Sequence, residues 1–337
     1  MAGAGKIIRA ALLAFFRHYH PAASTASLLA LPFSAAALLS SSHPALLAPS
    51  HLLSRRLVRV LVAAGFPPAS QLLFLLSHRL SQRACAFLAA LPFSLSFLLL
   101  AKACAVHCCC PVHQPLQRRR RRRRAPPAIV DVMALLRSSY PAMARTQLVN
   151  CVALLMANAA VFAALLGTFN AAEALRLIGP GPGSGSGGGG GRAVLALSAA
   201  GVIVYSVALA NAAAVCNLAT VVAAAEGHGG ARAMLKALLL LIRAGDAATA
   251  VAASLPASLA TAAVEALFQL RVMRPYMVTG KVSAAMVCEA LLVAYIHAMI
   301  CVLDTVVSSM VYQSCKASHS CDLLELELEE GKEDLSD

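Results

Sequence analysis

The sequence from Val282 to Tyr312 reads VSAAMVCEALLVAYIHAMICVLDTVVSSMVY. Apart from Glu289, His297 and Asp304, it consists of apolar and small residues, and lysines flank both ends. A helix needs about 20 apolar residues to cross the hydrocarbon core of a bilayer. This stretch therefore predicts a membrane-spanning helix with length to spare for tilt.

The composition predicts the same class for the whole chain. Of its 337 residues, 59% are hydrophobic and 13% are charged, whereas soluble domains carry about 25% charged residues. The 11 cysteines are scattered and do not resemble a disulfide framework. We therefore predict an all-α, polytopic helical membrane protein with about six transmembrane helices plus interfacial amphipathic helices.

Apolar runs and loops divide the chain. An N-terminal amphipathic segment and the first two spans with their interfacial connection precede a basic loop, a third span, a glycine-rich linker, three further spans and an acidic tail. These segments are 1–21, 22–106, 107–146, 147–178, 179–191, 192–313 and 314–337. The predicted spans are Ala22–Leu39, Ala84–Val106, Leu148–Phe169, Ala193–Ala225, Ala247–Leu270 and Val282–Tyr312. We expect a disordered tail and leave open whether Leu57–Leu76 crosses the bilayer.

One motif occurs twice near the start of the chain. The sequence ASLLALPFSAAALL at 26–39 aligns without gaps to AFLAALPFSLSFLL at 86–99, and nine of fourteen positions are identical. Either an internal duplication or the shared richness in alanine and leucine explains this similarity. Many transporters contain an inverted duplication.

Three ionisable side chains of the last span are the strongest candidates for a functional site. At about 100° per residue, Glu289, His297 and Asp304 fall within an arc of about 80° on one helical face. Ionisable groups in a span are costly, and they face a partner or a water-filled cavity. One interpretation is a proton or ion path completed by Asn211, Asn217 and Glu265. The other is hydrogen bonding between packed helices.

A cluster of cysteines directly follows the second span. Cys108, Cys109 and Cys110 occupy this juxtamembrane position, which is typical of S-palmitoylation sites. His107 and His113 also permit a metal site, but adjacent cysteines fit a tetrahedral centre poorly. We therefore expect acylation or no role, and neither a metal nor another cofactor.

A run of arginines follows these cysteines. It consists of Arg118, Arg119, Arg120, Arg121, Arg122, Arg123 and Arg124. Such a run is disordered, and it either contacts anionic lipids, at about 1 kcal/mol per arginine, or is a solvated insertion without a role. RNA binding is disfavoured because no aromatic residue is interleaved with the arginines. The run also gives the side of both termini an excess of positive charge, which predicts cytoplasmic termini.

Several short motifs resemble a known family. They are Asn217-Leu218-Ala219-Thr220-Val221-Val222, then Glu226, Gly229, Met234 and Lys236, and finally Val311-Tyr312-Gln313-Ser314-Cys315-Lys316 with His319. Together with the early Leu-Pro-Phe-Ser motif, they resemble a plant family of multi-pass membrane proteins with no assigned biochemical activity. The resemblance implies about six spans, preceded and interrupted by amphipathic helices. It brings no catalytic or ligand residues, and the arginine and glycine runs depart from it.

The sequence contains no enzyme signature. The glycine-rich run lacks the Lys-Ser/Thr ending of a phosphate-binding loop, and zinc-protease and serine-hydrolase motifs are absent. We therefore predict a non-enzymatic organising or interaction protein of the plasma membrane or an endomembrane, rather than of a plastid or mitochondrial membrane. Its expected partners are the lipid bilayer and homo- or hetero-oligomers, and not nucleic acid. The alternative is a transporter or channel-like protein, which a continuous polar cavity would favour over a dry, packed bundle.

Overall fold

A computed structural model of the protein describes residues 2–17, 24–42, 50–63, 71–109, 129–174, 189–243 and 247–333. Within these ranges the chain is helical apart from the connections at 227–230 and 280–283, and it contains no strand. The predicted all-α class is therefore confirmed.

The helices are named in chain order. They are α1 (Ala2–Arg17), α2 (Ser24–Ser42), α3 (Ser50–Ala63), α4 (Gln71–Phe93), α5 (Leu99–Cys109), α6 (Ile129–Ala174), α7 (Gly189–Glu226), α8 (Ala231–Arg243), α9 (Ala247–Phe268), α10 (Arg274–Thr279) and α11 (Ala284–Glu333). The π-helical turn Ser94–Leu98 joins α4 to α5, and the π-helical turn Gln269–Met273 joins α9 to α10.

Five helical stretches of the described chain are long and apolar enough to cross a membrane. They are Ala84–His107, Ser139–Leu165, Ala199–Glu226, Ala248–Thr279 and Ala284–Ala317, and each overlaps a predicted span. The remaining predicted span, Ala22–Leu39, corresponds to a shorter apolar stretch at Ala26–Ser40 in α2. That stretch is about 22 Å long at 1.5 Å per residue, against a hydrocarbon core of about 30 Å. The described bundle thus contains five long spans and one short apolar helix.

Helix α11 is the centre of the bundle. It packs against α1, α2, α5, α7 and α9, and its buried face includes Ala298, Val302 and Val306. The facing helices also contribute small residues, such as Ala101 of α5 and Ala219 of α7. Small side chains let helix backbones approach closely, and this close packing is a main basis of helix association in membranes.

The two copies of the Leu-Pro-Phe-Ser motif bury the same face. The first copy lies in α2, and the second lies in α4 and its π-helical turn, which both contact α2. The equivalent pairs that are buried are Ala30 and Ala90, Ser34 and Ser94, and Leu38 and Leu98. Leu28 and Leu88, also equivalent, are 61% and 62% exposed. A shared buried face with a spacing of four residues is expected of a duplicated helix.

The π-helical turn after Pro92 fixes α6 against the second copy of the motif. Proline lacks an N–H and disturbs the helix around it, and a π-helical turn shifts the backbone hydrogen-bond register. The hydroxyl of Tyr140 in α6 donates to the Leu95 carbonyl at 2.9 Å. Two turns further along α6, Gln147 Nε2 donates to Ser94 Oγ at 3.1 Å. The irregular backbone is therefore tied to a neighbouring helix.

The connections differ from the predicted ones in two places, the tail and the glycine-rich linker. The expected disorder of the tail is wrong for most of its length, because α11 continues to Glu333. Leucine and glutamate are good helix formers, and no proline interrupts them there. Helix α7 begins at Gly189, inside the predicted glycine-rich linker 179–191. Helix α3 ends at Ala63 and α4 begins at Gln71, and the residues between them lie outside the described ranges.

Candidate functional site

Three polar side chains form a continuous hydrogen-bonded set across the bundle interior. Lys102 Nζ of α5 donates to Asn217 Oδ1 of α7 at 3.2 Å. Asn217 Nδ2 in turn donates to Asp304 Oδ2 of α11 at 2.7 Å. An amide suits the middle position because its oxygen accepts from the amine while its NH₂ group donates to the carboxylate. We call Lys102, Asn217 and Asp304 the polar triad.

The polar triad is half-buried between the three helices. The space beside it has no room for a water molecule and is lined by Lys102, Val106, Asn217, Thr220, Val221, Thr305 and Ser308. A lone charge at the centre of a span costs about 2.5–3.5 kcal/mol on insertion scales. Here a base and an acid bond to the two sides of one amide, so each can compensate the charge of the other. The polar triad can therefore join three helices.

His297 makes a separate contact between helices. Its Nδ1 lies 3.0 Å from Ser34 Oγ of α2, and its ring is buried beside the ring of Phe33. Cys301, one turn along α11, places its sulfur 3.7 Å from the same nitrogen. His297 therefore joins α11 to α2, two turns away from Asp304.

The other predicted intramembrane residues lie at exposed positions of their helices. Glu289 and Glu265 are exposed on α11 and α9. Asn211 is exposed on α7 and donates to the Val207 carbonyl of its own helix at 2.9 Å. Of the predicted intramembrane residues, the structure thus brings Asn217 and Asp304 together through a direct hydrogen bond.

Lys102 is the member of the site that sequence reasoning missed. It lies inside the predicted span Ala84–Val106 and is not among the predicted site residues. A lysine within a span needs a polar or acidic partner, and this requirement was the signal available in the sequence. Asp304 offered the complementary charge on another span.

A second polar cluster lies where α7, α8 and α11 meet. Glu226 at the end of α7 accepts from Lys236 Nζ of α8 at 2.6 Å through Oε2. Its other oxygen, Oε1, accepts from the hydroxyl of Tyr312 at 2.8 Å. The amine of Lys316 lies 5.9 Å from the centre of the Tyr312 ring, within the range of a cation–π contact.

The connection at 227–230, after α7, packs closely against α6 and is hydrogen-bonded to it. Thr146 Oγ1 accepts from the Gly230 N–H at 2.9 Å, and Asn150 Nδ2 donates to a backbone carbonyl of α7 at 2.8 Å. A Cβ atom built on Gly229 would lie 2.4 Å from the Ala142 carbonyl oxygen. Glycine is therefore required for this approach of the connection to α6.

An apolar cavity lies at the opposite end of α11. It has a volume of about 320 Å³ and is bordered by α2, the segment from Phe268 to Tyr276, and the first turns of α11. Several lining residues, including Leu39, Val282 and Leu291, are also exposed. The cavity is therefore accessible from outside the bundle.

The remaining predicted sites fall beyond what the structure describes. Cys108 and Cys109 end helix α5, but their side chains are not described. Cys110 and the arginine run from Arg118 to Arg124 lie outside the described residues. Acylation and anionic-lipid contact at these residues stay predictions. Among the described residues, no group of three or more His, Cys, Asp or Glu side chains could hold a metal ion.

The comparisons with known proteins give a family without an activity. A family model described as a domain of unknown function, DUF8558, matches residues 126–333. The chain belongs to this family. The match includes Asn217 and Asp304 but begins after Lys102, so the polar triad joins the family domain to the preceding part of the chain. No curated protein and no solved structure matches the chain. The plant origin that the sequence resemblance implied stays a prediction.

Proposed function

We propose that the protein is a non-enzymatic, multi-pass membrane protein that organises or binds other membrane components. The observation that carries the proposal is the closed packing around the polar triad. Both sides of the Asn217 amide are occupied by Lys102 and Asp304, and the adjoining space has no room for water. A proton or ion path requires polar groups that connect to water or to one another across the membrane.

The contacts of the other candidate residues support the same proposal. His297 bonds to Ser34 of α2, and Glu289 faces outward. Within the described part of the chain, no hydrogen bond joins either residue to the polar triad. Interhelical bonding therefore accounts for the buried polar groups without a transport role.

The outside of the bundle offers apolar surfaces through which such a protein could bind partners. Large apolar side chains on α6 and α7 point away from the bundle, and they include Val152, Met156, Ile203, Val204 and Val207. Lipid or another protein would cover them. We propose homo- or hetero-oligomers in the plasma membrane or an endomembrane, with cytoplasmic termini and without nucleic acid as a partner.

A flux assay on the full chain separates this proposal from the transporter alternative. Liposomes that contain the wild-type protein or the Asp304→Asn variant are loaded with pH- and ion-sensitive dyes. Both are expected to leak protons and ions at the rate of protein-free liposomes, because the space beside the polar triad has no room for water. A wild-type flux that Asp304→Asn abolishes would favour the transporter alternative.

The interaction role has its own measurement. Cross-linking in native membranes, followed by solubilisation in mild detergent, is expected to give complexes larger than the 34.9 kDa chain. A particle that contains one copy of the chain and no cross-linked protein would contradict the proposed role.

A further inference from the structure

We propose that Arg232, Lys236 and Lys316 bind the headgroup of one anionic phospholipid where α8 meets α11. We call these three residues the basic cluster. The inference goes beyond the proposed function, because such a lipid is compatible with either a scaffold or a transporter. One part of it, the leaflet that supplies the lipid, rests on the proposed cytoplasmic termini.

Helix α8 lies at one surface of the membrane. The candidate span Ala199–Glu226 ends before it, and the candidate span Ala248–Thr279 begins after it. Its 13 residues measure about 20 Å at 1.5 Å per residue, which is too short to cross a hydrocarbon core of about 30 Å. The helix therefore stays at the surface where both spans end.

The side chains of α8 form three strips with different surroundings. They are Ala233, Ala237 and Leu241, buried against the bundle, Leu235, Leu239 and Ile242, exposed on the outside, and Arg232 and Lys236, exposed between these two strips. At about 100° per residue, the basic strip lies opposite the half-buried Met234. Apolar residues on the outside of an interfacial helix contact acyl chains. A lipid that packs on the outer strip therefore has its headgroup beside the basic strip.

Direct contacts place two of the three bases around one acid. Lys236 Nζ donates to Glu226 Oε2 at 2.6 Å, yet the Lys236 side chain is 53% exposed. The hydroxyl of Tyr312 donates to the other Glu226 oxygen at 2.8 Å, and Lys316 Nζ lies 5.9 Å from the centre of the Tyr312 ring. An ammonium group has three donors, so both lysines can donate to a further anion.

Arg232 completes the basic cluster from the preceding turn of α8. It is exposed, and a spacing of four residues places it on the same helical face as Lys236. The three positive charges of the basic cluster face one negative charge, at Glu226. The next acids along the sequence, Asp246 and Asp322, follow Lys236 and Lys316 by ten and six residues. The excess of positive charge favours an anionic headgroup over a zwitterionic one.

The basic cluster lies on the side of the membrane to which the carboxyl terminus belongs. Glu226 ends its span at the level of Tyr312, to which it bonds, and from there the chain continues to its carboxyl terminus. With the cytoplasmic termini that we propose, this side is the cytoplasmic leaflet. The surface of that leaflet is negatively charged because it contains anionic lipids.

Photoactivatable lipids test the proposal on the full chain. The protein is reconstituted in phosphatidylcholine vesicles with a minor fraction of acyl-labelled phosphatidylserine or acyl-labelled phosphatidylcholine in both leaflets, so the result does not depend on the proposed orientation. Phosphatidylserine is expected to label peptides from 231–243 and 309–317 in clear excess over phosphatidylcholine. Equal labelling by the two lipids would overturn the proposal.

Competition distinguishes a lipid from a soluble anion. Unlabelled phosphatidylserine should displace the labelled lipid, whereas inorganic phosphate should not, because it makes no contact with the outer strip of α8. Displacement by inorganic phosphate would show a site for a soluble anion and would overturn the lipid assignment.

Variants test whether the charges of the basic cluster carry the selectivity. Arg232→Gln/Lys316→Gln leaves the bond between Lys236 and Glu226 intact and is expected to lower phosphatidylserine labelling about tenfold, to the level of phosphatidylcholine. Arg232→Lys/Lys316→Arg keeps both charges and should keep most of the labelling. The matched control is Arg55→Gln/Arg56→Gln, which removes two exposed bases of α3 and should leave the labelling unchanged. Full labelling of the glutamine variant, or an equal loss in the α3 control, would contradict the assignment.

Discussion

The two ends of the membrane-spanning part of helix α11, Ala284–Ala317, are closed in different ways. At the sealed end, which comprises the polar triad, Glu226 and Tyr312, hydrogen bonds join α11 to α5, α7 and α8 in a space without room for water beside the triad. At the cavity end, which comprises the apolar cavity and its lining residues, large side chains leave about 320 Å³ unfilled. The same helix thus has a tightly bonded end and a loosely packed end.

The two ends differ because lipid can replace apolar contacts between helices but not hydrogen bonds. An apolar gap between helices costs little in a bilayer, because acyl chains fill it about as well as leucine does. Acyl chains cannot satisfy a polar group in this way, since each unsatisfied group costs several kcal/mol in hydrocarbon. The polar residues therefore dictate where this bundle must close, and the apolar residues permit it to stay open elsewhere.

The largest expected effect is the loss of the carboxylate at the sealed end. Asp304→Asn keeps a hydrogen-bonding group beside Asn217 but leaves Lys102 without a buried acid. Lys102 and Asp304 are bridged by Asn217, and removing one partner of a fully buried charge pair costs about 3–5 kcal/mol. We expect a loss of that size in the free energy of unfolding, measured by denaturant titration in mixed micelles.

Two further variants show whether the pair causes that loss. Glu289→Gln removes an exposed acid from the same helix and should change the free energy of unfolding by less than about 0.5 kcal/mol. The double variant Lys102→Met/Asp304→Asn should lose less than the sum of the single variants, because it leaves no lone charge. Strict additivity would mean that the two residues do not act through Asn217.

A smaller effect is expected from the glycine that lets the sealed end close. Gly229→Ala would place a Cβ 2.4 Å from the Ala142 carbonyl oxygen, and overpacking of this kind costs about 1–3 kcal/mol. The control is Gly167→Ala in α6, where a Cβ meets nothing within 4 Å and helix propensity favours alanine by up to about 1 kcal/mol. Similar thermal stabilities of the two variants in detergent would contradict the close approach.

The architecture could be predicted from the sequence because its determinants are local. The length and hydropathy of a run decide whether it can span a bilayer, and five long runs of this chain form such helices. The end of the last helix was predicted too early. The leucine- and glutamate-rich tail contains no proline that would stop α11 before Glu333.

The pairing at the polar triad could not be read from local patterns. Asn217 and Asp304 each stood out as polar residues within spans, but their bond joins positions 87 residues apart. The bond of Lys102 to Asn217 bridges 115 residues, and it depends on the relative rotation of α5 and α7. Such rotation is set by packing against neighbouring helices. A search for oppositely charged residues within different spans would have suggested Lys102 and Asp304.

The smallest effect, with the opposite sign, is expected from filling the cavity end. Ala290 lines the cavity, so Ala290→Leu adds contacts where space exists and should raise the free energy of unfolding by about 0.5 kcal/mol. Ala223 of α7 is fully buried in the main core, and the same change there should cost about 1–3 kcal/mol by overpacking. Thermal unfolding of the two variants in lipid-free detergent measures the contrast. If both changes destabilise the protein equally, the cavity end is packed as tightly as the core, and the difference between the two ends of α11 disappears.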